Sequence, residues 1–221
     1  MTTATKTYTV HRKHTCVAFD DLPRDMQKRI LDRYASEELD GFDWWDSTLD
    51  WFCTDTTDKY GLNVNGRKCY FSLYPTSATW TLDSIEDVRK FVDALGFTDE
   101  RERAYLMAWA DDTVKFSANP SPRGTCQYSG VECWPLEEDE VEDPTTIQGF
   151  TVQEQEALFL RIERAWDKLA ANIAHELGKL MEYEYEWLTS EKYLRERMEE
   201  NGDIFDIETG MVFNREDAEE E

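Results

Sequence analysis

TVQEQEALFLRIERAWDKLAANIAHELGKLMEYEYEWL, residues 151–188, is the stretch whose periodicity organises the rest of the chain. Its apolar residues Leu158, Ile162, Ala165, Trp166, Leu169, Ile173, Leu177, Leu180, Tyr185 and Leu188 track one face of a helix, most of them three or four residues apart. Thr151 and Glu154 stand as a capping box at its start. At 1.5 Å per residue the helix is about 55 Å long. So long an apolar stripe needs a cover, which either the rest of the chain or a second copy supplies; the latter is a homodimer through the long helix. Gly178 is the weak point in its continuity. Thr189-Ser190 breaks the pattern, a shorter helix follows over 191–200, and Asn201-Gly202 marks its end before a short ending and an acidic tail.

Immediately upstream, VECWPLEEDEVEDP (131–144) packs seven acids between and around two prolines, a composition that suits a solvated linker better than a packed element. It divides the chain into an expected domain over 1–135, an acidic linker over 136–150, a helical appendage over 151–200 and an ending over 201–221. Within the first part, Asp21 and Pro23 open an amphipathic helix over 22–38, with Met26, Ile30, Leu31 and Tyr34 on one stripe. DWWDSTLDWFCTDTTDKYG (43–61) places Trp44, Trp45, Thr48, Trp51 and Phe52 at helical intervals, read as core anchors, with Asp43, Asp46, Asp50 and Asp55 facing solvent. Asn65-Gly66 predicts a turn from a short strand into the run Lys68–Leu73, and a further strand is expected near 77–81. Ser84 to Asp87 resembles a capping box for a helix closed by Gly96, and Thr98 caps another through Trp109. Strands over 113–117 and 125–131 flank the turn NPSPRG. Short strands mixed with helices, without β-α-β alternation, give an α+β class: a small antiparallel sheet with several helices, then the long helix and the shorter one.

Charge narrows the functional classes. The 221 residues hold 48 Asp plus Glu against 24 Lys plus Arg, for a formal net charge of -24. The imbalance is concentrated beyond residue 130, where 27 acids face 8 bases. A field of that sign opposes direct binding to nucleic acid and to anionic membranes. Aromatic residues at 13% supply anchoring material for a folded core. No apolar run approaches the length of a membrane span, and no signal-peptide pattern opens the chain. Five cysteines without a C-x-x-C pattern read as reduced thiols, which places the protein in a cytoplasm.

Catalytic and metal chemistry find little purchase. His11, His14 and Cys16 form an uncommon H-x-x-H-x-C spacing, better explained by the end of a surface strand than by zinc. HELGK at 175–179 lacks the second histidine of H-E-x-x-H, and no phosphate-binding glycine loop, calcium loop or nucleophile elbow occurs. Carboxylate pairs such as Asp111-Asp112 are frequent simply because acids are frequent. No catalytic residue, metal ligand or cofactor is therefore assigned.

One segment carries a resemblance. LMEYEYEWLTSEKYLRERMEENGDIFDIETG (180–210) joins Glu184, Tyr185, Leu188, Thr189 and Ser190 to a helix and then to Asn201, Phe205 and Gly210. It resembles the carboxyl end of a family of uncharacterised phage- and plasmid-encoded proteins, some loosely described as antitoxin-like. Leu22, Pro23, Gln27 and Ile30, the Trp44–Phe52 helix and Phe71-Ser72 fit the same family. Its members tend to follow the Phe-Ser strand with a turn containing glycine and aspartate, where this chain has Tyr74-Pro75-Thr76-Ser77, which weakens any carry-over of a ligand-binding role for that turn. The resemblance implies a mobile-element setting and no catalytic residues.

The resulting expectation is an interaction protein whose acidic surface imitates nucleic acid and occupies a basic host protein. The candidate contacts are Glu137, Glu138, Asp139, Glu140, Glu142 and Asp143 in the linker and Glu154, Glu163, Asp167, Glu176, Glu182, Glu184 and Glu186 on the long helix. The alternatives are an antitoxin or regulatory partner of a cognate protein, and a homo-oligomeric structural protein.

Overall fold

The computed structural model describes residues 13–40, 43–74, 76–109, 114–120, 127–133, 146–147 and 150–217. In chain order they form β1 (Cys16–Val17), α1 (Arg24–Asp40), α2 (Asp46–Tyr60), β2 (Leu62–Val64), β3 (Tyr70–Leu73), β4 (Thr76–Thr79), β5 (Leu82–Ile85), α3 (Val88–Ala94) and α4 (Glu100–Trp109). Then follow β6 (Val114–Pro120), β7 (Gln127–Cys133), β8 (Thr146–Ile147), β9 (Phe150–Thr151), α5 (Val152–Leu188), α6 (Glu191–Glu200), β10 (Asp203–Asp206) and β11 (Val212–Asn214). The class is α+β, with small antiparallel sheets, several short helices, and the long helix followed by a shorter one.

Two compact units emerge: Trp44–Tyr185, and Met1–Asp43 together with Glu186–Glu221. This partition differs from the expected one at 135 and 150. The α5 stripe from Leu158 to Met181 belongs to the same core as the strands and helices that precede it.

In the Trp44–Tyr185 unit, Leu158, Ile162, Trp166, Leu169, Ile173, Leu177 and Met181 of α5 are buried against Phe52, Leu62, Trp80, Phe91, Leu106 and Phe116. The Trp166 ring sits edge-on to Trp80, Phe91 and Phe116 at centroid distances of 6.1, 5.7 and 5.5 Å. Rings this large are buried at low cost only if their N–H groups find acceptors. Trp166 Nε1 donates to the Ser117 carbonyl and Trp80 Nε1 to the Ala170 carbonyl, each at 3.0 Å. Of the two covers considered for the stripe, the one from within the chain is therefore observed. The helix continues through Gly178, where a Cβ would stand in ordinary contact with Thr76 and Ala78 of β4, so backbone strain plays no part there.

Local chemistry revises several boundaries. The expected hairpin from 62–64 into 68–73 does not form: β2 pairs antiparallel with β5, Leu62 opposite Ile85, and β3 pairs with β4. Asn65-Gly66 instead begins a tight turn, closed by Lys68 N–H to the Asn65 carbonyl and Cys69 N–H to the Gly66 carbonyl, while Asn65 N–H reaches the Thr81 carbonyl beside β5. The cap of α3 is Asp87 itself, accepting from the Arg89 and Lys90 amides at 3.0 and 3.1 Å, and Asp99 accepts from the Glu102 amide in place of Thr98. Helix α2 buries Phe52 and Thr56 and leaves Trp51 57% exposed, so Trp51 is not a core anchor; Trp44 and Trp45, in the turn just before the helix, are half-buried against Phe71. The helix ends at Gly61, whose φ of 69° and whose carbonyl, shared by the Glu86 and Asp87 amides, leave no room for a side chain: a Cβ would lie 2.2 Å from the Asp87 oxygen.

The other unit joins the two ends of the chain. Phe19, Leu22, Ile30, Tyr34, Leu194, Met198 and Phe205 form its core, drawn from α1, α6 and the flanking segments. Its sheet has the order β1-β10-β11, with Cys16 opposite Asp206 and Phe205 opposite Val212. The segment expected to be a mere ending, 201–217, thus supplies two of its three strands.

Candidate functional site

The thirteen carboxylates singled out by sequence separate into three groups. The linker acids Glu137, Glu138, Asp139, Glu140, Glu142 and Asp143 lie outside the described residues. Four of the long-helix acids are engaged by neighbours inside the Trp44–Tyr185 unit. Glu154 completes the capping box, accepting from the Thr151 amide at 2.8 Å and from its hydroxyl at 3.0 Å, and it faces Arg101 at 3.6 Å. Asp167 accepts from the Ser129 hydroxyl of β7 at 2.6 Å. Glu176 accepts from Lys59 Nζ and the Tyr60 hydroxyl of α2, both at 2.8 Å. Glu182 accepts from the Thr76 hydroxyl at 2.9 Å and from Lys179.

At Glu154 and Glu182 these bonds favour the charged form. Glu154 is held below the ordinary glutamate range chiefly by the Thr151 amide, and Glu182 chiefly by Lys179 and then Thr76. Lys59 is raised in turn, first by its bond to Glu176. The remaining candidates, Glu163, Glu184 and Glu186, make no side-chain hydrogen bond or ion pair with another described residue.

A second set of acids surrounds a cleft of about 740 Å³ between α2 and the turn after β2. Trp45, Leu49 and Val64 give it apolar walls, Cys53 and Cys69 bring two thiols to it, and Asp46, Asp50, Asp83 and Arg67 surround them. Asp46, Asp50, Asp83 and Arg67 are exposed, and none makes a side-chain hydrogen bond or ion pair with another described residue. Asp43, Asp55 and Asp58 on the same stretch likewise make no side-chain hydrogen bond or ion pair with another described residue; Asp43 and Asp58 are exposed and Asp55 is half-buried. Burial raises the Cys53 thiol, with Asp50 adding to the effect, and pushes Cys69 up to about 12. Sequence reading placed the α2 aspartates toward solvent but left them out of the candidate set, because it weighted charge by its density along the chain.

The other unit holds one buried carboxylate that composition gave no reason to notice. Asp206 accepts from the Thr209 hydroxyl and amide at 2.6 and 2.7 Å, the Glu208 amide at 3.2 Å and His14 Nδ1 at 3.0 Å. The Thr209 hydroxyl is the leading cause that holds its carboxyl at about 2. His14 is thereby tied to Asp206, with its ring centroid 4.9 Å from that of Phe213 and tilted 43° to it. Asp206 closes the β10–β11 turn, which is a structural task.

Among the described residues no group of three or more His, Cys, Asp or Glu side chains is arranged to hold a metal ion, and no helix is long and apolar enough to cross a membrane. Comparison of the chain with protein-family models, with curated proteins and with solved structures returns no match.

Proposed function

We propose that this chain is an interaction protein of a phage or other mobile element, whose acidic surface meets a basic host protein at a site that otherwise holds nucleic acid. The observation that carries the reading is the unpaired set on and beside α2: Asp43, Asp46, Asp50, Asp55, Asp58 and Asp83. Carboxylates one helical turn apart, about 5.4 Å, present a repeating negative charge without an internal counter-ion. In a chain of net charge -24 such a surface steers cationic partners and repels anionic ones. The reading moves the centre of the contact from the engaged acids of α5 toward α2, with Glu163, Glu184 and Glu186 as the long-helix acids still open to a partner.

The test is capture of host proteins on the immobilised chain, followed by elution with salt and, separately, with duplex DNA. The reading expects a basic nucleic-acid-binding protein released by both, and bound to wild type far more tightly than to the Asp46→Lys, Asp50→Lys variant. A partner that resists salt and ignores DNA would instead favour a regulatory or antitoxin role through apolar contact. Self-association alone would favour the homo-oligomeric alternative.

A further inference from the structure

The cleft beside α2 brings together the thiols of two cysteines that are 16 positions apart in sequence. Cys53 projects from α2, and its sulfur lies 3.3 Å from the position a Cβ would take at Gly66. Cys69 closes the same turn: its amide donates to the Gly66 carbonyl at 3.1 Å and its thiol to the Asn65 carbonyl at 3.6 Å. Glycine at 66 leaves the space beside Cys53 open, whereas alanine would crowd the sulfur. Both thiols are free and partly exposed.

We propose that Cys53 and Cys69 are a thiol pair that a low-molecular-weight disulfide converts into an internal disulfide, independently of the partner reading above. The Cys53 thiolate attacks one sulfur of oxidised glutathione, forming a mixed disulfide and releasing one glutathione thiolate, which takes up the proton that Cys53 gave up. The Cys69 thiolate then attacks the Cys53 sulfur of that mixed disulfide, and the second glutathione leaves. Two protein thiols are oxidised to one disulfide, and one glutathione disulfide is reduced to two thiols. The order follows burial, since Cys69 is the more buried and holds its proton more tightly, up to about 12. An internal disulfide needs the two Cα atoms roughly 4.4–6.8 Å apart.

The full chain with Cys16, Cys126 and Cys133 replaced by serine isolates the pair. Oxidised glutathione at mildly alkaline pH, in salt high enough to screen the acidic cleft, is expected to remove both free thiols, lower the intact mass by two hydrogens and give a Cys53–Cys69 peptide on digestion. The rate should climb by about tenfold per pH unit below the thiol pKa. Cys69→Ser should stop at a glutathione adduct on Cys53, and Cys69→Ala repeats that arm should serine disturb the fold. Separate adducts on both cysteines without an internal bond would overturn the proposal. So would a native chain that does not react while the same chain, unfolded in denaturant, oxidises readily.

Discussion

On α5, Glu154, Asp167, Glu176 and Glu182 each accept a hydrogen bond from elsewhere in the Trp44–Tyr185 unit, whereas on α2 Asp46, Asp50 and Asp58 meet no described donor. The tryptophans differ in the same sense: Trp166 of α5 is fully buried, and Trp51 of α2 stands 57% exposed. Helix α5 is therefore integrated on two sides, by its apolar stripe and by carboxylates that tie it to β4, β7 and α2. Helix α2 is integrated on one side only. Acid content alone does not separate these roles; what separates them is whether a donor from a distant part of the chain reaches the carboxylate.

The largest effect expected from this contrast is at the tryptophans. Trp166→Ala should cost about 3–5 kcal/mol of unfolding free energy, since it empties a site surrounded by three aromatic rings and removes the indole hydrogen bond to the Ser117 carbonyl. Trp51→Ala should change stability by about 0.5 kcal/mol or less. Chemical denaturation of both variants checks the pair, and equal losses would break the contrast.

Acid titration sharpens it further. Glu154 and Glu182 have folded-state values below their ordinary 4.5, so their contribution is complete above that pH and is lost as pH falls through the depressed values. Glu182→Gln should lower stability near neutrality and flatten its pH dependence in the acid range. Asp206 behaves alike in the other unit, with its contribution complete above 3.8 and lost as pH falls through about 2. Denaturation midpoints followed from neutral to acid pH read both.

A smaller effect of opposite sign is expected at Gly178. Alanine there finds ordinary contacts with Thr76 and Ala78, and it should stabilise α5 by up to about 1 kcal/mol through helix propensity. A loss of stability would mean that β4 needs the closer approach that glycine permits.

Much of this architecture is legible in the sequence. The three- and four-residue spacing from Leu158 to Leu177 places the long helix, Thr151 and Glu154 place its start, and Ser190, whose hydroxyl accepts from the Tyr193 amide, places the next one. Pairing was less legible, because Asn65-Gly66 signals a turn without saying which strand follows it, and Leu62 and Val64 take the partner across the core, β5. The β10–β11 strands escaped notice because Asp203 and Asp206 look like an acidic tail until Tyr34 and Thr209 are seen donating to them. For the candidate site, spacing put acids on helical faces but did not reveal that Lys59, Tyr60, Thr76 and Ser129 would reach three of them, Asp167, Glu176 and Glu182, from distant segments.

Two triple variants measured side by side test the central claim, that the α5 carboxylates hold the fold while the α2 aspartates face a partner. One carries Asp167→Asn, Glu176→Gln and Glu182→Gln; the other carries Asp46→Asn, Asp50→Asn and Asp83→Asn. Unfolding free energy and affinity for an arginine-rich peptide at low salt are read on both. The account predicts that the first set loses stability and keeps most of its affinity. The second keeps its stability and loses affinity several-fold. A second set that unfolds more easily than the first, or a first set that loses as much affinity as the second, would contradict it.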